Sequence, residues 1–167
     1  HSGFQRLASG RTVIIIDTGK PVSVGRLNSH AGTLSFEMSV GRNRLVVNCG
    51  TASSEGRQWF SAMQATAAHS TLTVNDLNSS QFDNNRKMFL GPLVVESERR
   101  EADGAVWLET SHDGFLDRIG IIHRRKLYLD ASGEDFRGED IIEGSAGGEF
   151  SVRFHLHPSV HASQLQG

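Results

Sequence analysis

Three stretches carry residue types that exchange protons, ligate metals or hold a carboxylate: NSHAGTLSFEMS around His30, LVVNCGT around Asn48 and ATAAHSTL around His69. Each lies at or beside a run alternating apolar and polar residues, the period of a half-buried strand. In Thr33–Val40, Leu34, Phe36, Met38 and Val40 share one face while Thr33, Ser35, Glu37 and Ser39 share the other. In Arg44–Cys49, Leu45, Val47 and Cys49 oppose Val46 and Asn48. In Ser70–Asn75, Leu72 and Val74 oppose Thr71 and Thr73, and the same parity puts His69 on the polar side. If these strands are neighbours in one sheet, His69, Asn48 and Ser35 or Glu37 converge. His30, just ahead of the first strand, is close enough to join them.

The elements that must hold such a site read as strands. RTVIIID, Arg11–Asp17, is rich in β-branched residues, and Thr18–Leu27 is a turn-rich connection with Gly19, Pro21 and Gly25. Gly41-Arg42-Asn43 makes a short hairpin loop. Ser53–Ala68 reads as an irregular link with one helical turn, its Trp59, Phe60, Met63 and Ala67 being offset by Gly56 and a run of small residues. The stretch LNSSQFDNNRK that follows Asp76 is polar and loop-like. From there strand follows strand: Gly91–Glu101, Ala105–His112, Asp117–Asp130, Glu134–Glu143 and Gly148–Pro158, punctuated by DG, HDGF, ASGE and GSAGG. With no long amphipathic helix and no fixed repeat, residues 1–167 form one all-β domain, an antiparallel β-sandwich. The alternation predicts a core of Val13, Ile15, Leu34, Phe36, Leu45, Val47, Leu72, Val74, Val94, Val106, Leu108, Leu127, Leu129, Phe150, Val152 and Phe154.

Composition narrows the function classes. A chain of 167 residues with 37% apolar residues and a formal charge of −2 is an ordinary globular domain with no polyelectrolyte tail. A nucleic-acid partner is disfavoured, because no basic, aromatic-interleaved surface is evident. The single cysteine, Cys49, excludes an internal disulfide framework and a CxxC metal site, and leaves cytoplasm and periplasm both open. No apolar run approaches the roughly 18 residues that span a bilayer. The chain reads as a piece of a longer one, cut at both ends.

Taken together, HAGTLSFEMS, LVVNCGT and ATAAHSTL, followed far downstream by HDGF, HRRKLYL and RFHLHPSV, resemble the C-terminal β-sandwich region of heparinase II/III-like polysaccharide lyases. The order and spacing hold across nearly the whole chain. The resemblance implies a bacterial parent protein in which an N-terminal α/α toroid precedes this sandwich, and a reaction that cleaves acidic, uronic-acid-containing polysaccharide or oligosaccharide by β-elimination. Such a reaction removes the C5 proton of a uronate, neutralises its carboxylate and protonates the leaving oxygen. The resemblance further implies that a toroid tyrosine and asparagine share this work with a sandwich histidine. The only tyrosine here, Tyr128, sits in an apolar strand run and reads as structural, so this piece by itself is expected to be inactive.

The resemblance also implies a metal, zinc, at His30, Asn48 and His69, with an asparagine where the family has an aspartate. Two imidazoles and a carboxylate suit zinc, and a neutral amide is a weaker ligand. Glu37 supplies the missing charge only if its side chain faces the site. At Asn28 the family carries a catalytic histidine, and an amide there cannot exchange a proton near neutral pH. Arg124, Arg125 and Trp59 are the candidates for holding the sugar, the arginines for its acid groups and the tryptophan as a stacking platform. Plainer readings stand beside these: His30 and His69 hydrogen-bonded to backbone, Asn48 structural beside Gly50, His155 and His157 on a hydrogen-bonded strand face, and the arginines on a solvated strand. A non-catalytic carbohydrate-binding or structural sandwich is the alternative function, favoured by Asn28 and Asn48.

Overall fold

A computed structural model describes residues 2–21, 29–51, 57–83, 88–144 and 147–164. In chain order its elements are β1 (Phe4–Ser9), β2 (Thr12–Asp17), β3 (Phe36–Val40), β4 (Asn43–Val47), α1 (Arg57–Gln64), a 3-10 turn at Thr66–Ala68, β5 (Leu72–Val74), β6 (Gln81–Asp83) and β7 (Met88–Leu90). There follow β8 (Val95–Ala102), β9 (Ala105–Phe115), α2 (Leu116–Ile119), β10 (Ile121–Leu129), β11 (Phe136–Gly144), β12 (Phe150–Val152) and β13 (His155–Leu156). One sheet runs β1-β2-β3-β4-β13 and the facing sheet runs β11-β10-β9-β8, both antiparallel. Two-stranded ribbons, β12-β5 and β6-β7, complete the architecture.

The sandwich exists because each sheet has one apolar face to cover. Leu7, Ile14, Ile16 and Phe36 from the first sheet meet Val106, Leu108, Leu127 and Leu129 from the second, with Met38, Val46 and Phe136 packed alongside. A second cluster of Leu72, Val74, Phe115 and Ile121 lies beneath the β12-β5 ribbon and α2.

Several sequence expectations are corrected. In β2 the buried apolar residues are Ile14 and Ile16, not Val13 and Ile15, and Ile15 is 38% exposed. TVIIID is apolar on both faces, so its own alternation sets no parity. The partner strand sets it, with Ile14 opposite Met38, Ile16 opposite Phe36 and Ile15 opposite Glu37. The register shift between Met38 and Ser39 leaves Val46 opposite Met38, where it packs against the core, while Leu45 and Val47 do not, and all three are half-buried. Phe150, Phe154 and Val94 are exposed, Phe150 because its strand pairs only with the short β5. The link before His69 holds an eight-residue helix, and part of LNSSQFDNNRK pairs as the β6-β7 hairpin. β1, not anticipated, adds Leu7 to the core.

At one end the two sheets are joined backbone to backbone. The β1-β2 turn at Gly10 and the β10-β11 turn at Gly133 touch so closely that a Cβ on Gly10 would overlap Ser132 O, and one on Gly133 would overlap Ser9 O. Both glycines also have positive φ, 52° and 77°. Ser9 Oγ donates to Ala131 O and Thr12 Oγ1 donates to Gly133 O, each at 2.6 Å.

Candidate functional site

The inward faces of β9 and β10 are not wholly apolar. Thr110, His112, His123 and Arg125 share the parity of Leu108 and Leu127 and are as deeply buried. Their hydrogen bonds fix one another's tautomers. Gly114 N–H donates to His112 Nδ1 at 3.0 Å, so the His112 proton sits on Nε2 and points to His123 Nδ1 at 3.3 Å. The His123 proton is then on Nε2 and is donated to Asp140 Oδ1 at 2.7 Å. Burial holds both histidines below their ordinary pKa, outweighing for His123 the opposing Asp140 bond. Burial works to raise Asp140, but hydrogen bonds from His123 and Arg125 outweigh it and hold the carboxyl at about 2.

Arg125 connects this network to the surface. Nε and Nη2 make a forked pair with Asp140 at 2.7 and 2.9 Å, while Nη1 donates to Leu34 O at 2.8 Å and to Ser70 O at 3.1 Å. Leu34 is buried in a left-handed conformation, φ 62°, which a branched side chain adopts only under constraint. Its N–H donates to Asp17 O at 2.8 Å. Ser70 N–H donates to Asn48 Oδ1 at 2.8 Å, and Ser70 Oγ donates to Val47 O at 2.8 Å. One guanidinium thus holds both the turn after His30 and the segment carrying His69.

Between those segments lies a cleft of about 370 Å³, on the outer face of the first sheet. The His30 and His69 rings meet edge to face, with centroids 5.3 Å apart. His69 donates Nδ1–H to Ala65 O at 2.8 Å, which leaves Nε2 as a bare acceptor. Burial lowers its pKa to about 4. Gly32 makes room for that ring, since a Cβ there would lie 2.7 Å from His69 Cδ2. The His30 ring bonds the backbone at Met63, its Nε2 is buried without any partner, and burial lowers its pKa. Asn48 is held on three sides: Oδ1 accepts from Ser70 N–H, its backbone N–H donates to Glu37 Oε1 at 3.3 Å, and Nδ2 reaches Ser35 Oγ at 3.5 Å. Asp17 accepts Gly19 N–H at 2.9 Å, and burial raises its carboxyl to about 6 despite that bond. Phe4 and Ile15, both partly exposed, supply the apolar part of the lining.

The profile of the family described as heparinase II/III-like, C-terminal, matches residues 1–167. The chain belongs to that family. It is 34% identical over 183 aligned residues to FtsZ-localized protein C of Caulobacter vibrioides, covering 98% of this chain and 31% of that protein. Its fold superposes on the heparan sulfate lyase HepC of Pedobacter heparinus with a TM-score of 0.73 at 17% identity, covering 94% of this chain and 23% of the lyase. A second solved structure, heparinase III, gives 0.72 at 18% identity over 94% of this chain and 24% of its own. The chain therefore spans about a third of the curated relative and a quarter of the lyases.

Within this heparinase-like sandwich the sequence-selected residues fall into three places. His30, Asn48, His69, Ser35 and Glu37 come together in the cleft. Trp59 stands 59% exposed on α1 and does not line it. Arg124 and Arg125, adjacent in sequence, point to opposite faces of β10. Arg124 pairs with Glu143 at 2.5 Å and Glu109 at 3.0 Å on the outer surface, whereas Arg125 is buried with its donors on Asp140 and two carbonyls, out of reach of a sugar. Asn28 lies outside the described residues. Tyr128 packs on Trp107, ring centroids 5.1 Å apart, away from the cleft. His155 and His157 each have local partners, at Ala67 O and Ser159 Oγ. Phe4, Ile15 and Asp17 were missed. A β-branched run ending in aspartate beside the site strand was the signal available for Asp17.

The resemblance implies zinc at His30, Asn48 and His69. His69 keeps an unprotonated Nε2, but His30 Nε2 is buried, and Asn48 brings no charge and its oxygen already accepts from Ser70. Among the described residues no three His, Cys, Asp or Glu side chains are grouped closely enough to hold a metal ion. The donor set does not fit zinc, whose protein sites normally supply three ligands.

Proposed function

We propose that the chain is the glycan-facing wall of a heparinase II/III-like protein, binding a polysaccharide in the His30–His69 cleft without itself supplying the catalytic groups for chain cleavage. The observation that carries this reading is the cleft: the His69 Nε2 acceptor beside the buried His30 ring and an exposed Phe4, with no cation and no tyrosine among the described lining residues to neutralise a uronate or act as base. Family membership supports a polysaccharide ligand, since the structural neighbours include a heparan sulfate lyase. Backbone amide shifts followed by nuclear magnetic resonance, as soluble polysaccharides are added, test it. Changes centred on Gly32, Asn48 and His69 are expected; their absence with every glycan would sink the reading.

The second reading is the lyase itself, with an N-terminal toroid completing the β-elimination site and the cleft forming one wall. Its support is the family and the fold shared with two lyases. Formation of an unsaturated uronate by the parent protein, lost in His69→Ala, would establish it. The relative named for its FtsZ localisation favours instead a binding role where FtsZ is found.

A further inference from the structure

The lining of the cleft selects among sugars by its inventory of donors and acceptors. His69 has its proton fixed on Nδ1 by Ala65 O, so Nε2 only accepts. His30 Nε2 is buried and has no partner. Asp17 has one carboxylate oxygen on Gly19 N–H, and Glu37 brings a second carboxylate whose Oε1 accepts from Asn48 N–H. On the donor side the described lining side chains offer the hydroxyls of Ser35 and Thr51 and one hydrogen of Asn48 Nδ2, whose other hydrogen is directed at Ser35, and no lysine or arginine is among them.

A ligand carboxylate or sulfate entering here would face two negative groups and, among the described lining residues, no cation. A ligand ammonium has three donors and no acceptor, the complement of this lining. Phe4, 58% exposed, and Ile15, 38% exposed, offer apolar surface to the C–H face of a sugar ring. We infer that the cleft takes the protonated amine of an N-unsubstituted amino sugar within a polysaccharide, in place of a uronate. The inference rests on the glycan-wall reading above and names its ligand. It also accounts for the donor set that does not fit zinc: with Asn48 in place of a carboxylate, a cation that brings its own hydrogens suits the bare His69 Nε2 and the Asp17 and Glu37 carboxylates better than a bare metal ion.

The test uses the purified protein at pH 7 and three oligosaccharides of equal length, one of glucosamine, one of N-acetylglucosamine and one of galacturonate, followed by amide shifts. The amine form is expected to bind at least tenfold more tightly than either other, and Asp17→Asn and His69→Gln, each checked for an intact amide spectrum, are expected to lose at least tenfold. Equal or tighter binding of the galacturonate oligomer would overturn the inference while leaving the glycan-wall reading in place. No binding of any of the three would overturn the inference, and the glycan-wall reading would fall with it only if the wider set of soluble polysaccharides also left the amide spectrum unchanged. A tenfold loss in Glu98→Gln, a carboxylate on β8 of the other sheet, would expose unspecific charge attraction and overturn the inference. So would stoichiometric binding of zinc alone that disappears in both His30→Ala and His69→Ala.

Discussion

The molecule contains two pairs of histidines in nearly the same arrangement. His112 and His123 lie edge to face with centroids 5.2 Å apart and planes at 89°; His30 and His69 lie 5.3 Å apart at 82°. What separates them is the next hydrogen bond outward. In the buried pair every ring nitrogen has a partner, from Gly114 N–H at one end to Asp140 at the other. In the cleft pair each ring is anchored to backbone at one nitrogen, and the other nitrogen stays bare. A closed chain of hydrogen bonds makes histidines into scaffold, and an interrupted one leaves them able to receive a ligand.

The largest expected effect comes from breaking the closed chain. Arg125→Met leaves Asp140 without its forked partner and the carbonyls of Leu34 and Ser70 without their donor, which should cost about 3–5 kcal/mol in denaturant unfolding at pH 7. A loss below about 1 kcal/mol would show that the network is not what holds the sheet to the cleft.

Acid titration is the next sharpest probe. His112, His123 and His69 all have folded pKa values pushed below 6.5, so their contribution is complete above pH 6.5 and declines as pH falls, because the unfolded chain takes up protons first. The slope from these groups should approach roughly 1.4 kcal/mol per pH unit for each histidine. Asp17 acts in the opposite sense, its raised carboxyl adding stability as pH falls through about 6 toward 3.8. Stability curves between pH 7 and 4.5 should therefore be flatter in His123→Leu, provided that variant folds. An unchanged slope would mean that the buried pair is not held neutral.

The smallest effect is expected at the interrupted pair. His30→Leu removes a ring whose Nε2 already lacks a partner, so stability should change by no more than about 1 kcal/mol in either direction. A loss comparable to that of Arg125→Met would erase the distinction between the two pairs.

The alternation that placed Leu127 and Leu129 in the core also places His123 and Arg125 there, four and two residues before Leu127 on the same face of IIHRRKLYL. The parity was legible. The charges argued against it, because a lone arginine is not buried, and the partner that makes burial tolerable, Asp140, sits on another strand whose pairing no local pattern reveals. The cleft was more readable, since the polar faces of the β3 and β4 runs put Ser35, Glu37 and Asn48 on one side and His69 falls on the polar parity of its own run. Asp17 and Phe4 escaped because β2 is apolar on both faces and β1 carries little alternation. The left-handed Leu34 turn, set by tertiary hydrogen bonds, has no sequence signature at all.

Gly10 and Gly133 lie in hairpin turns near the surface, the kind of place where tags, insertions and random substitutions are usually harmless. Here the two turns form a seam. Any side chain added to one presses on the backbone of the other, so the strain is delivered to the spacing between the two sheets. A deep mutational scan would record these two outlying glycines as intolerant as the buried core, and an epitope inserted at either would pry the sandwich open from its closed end.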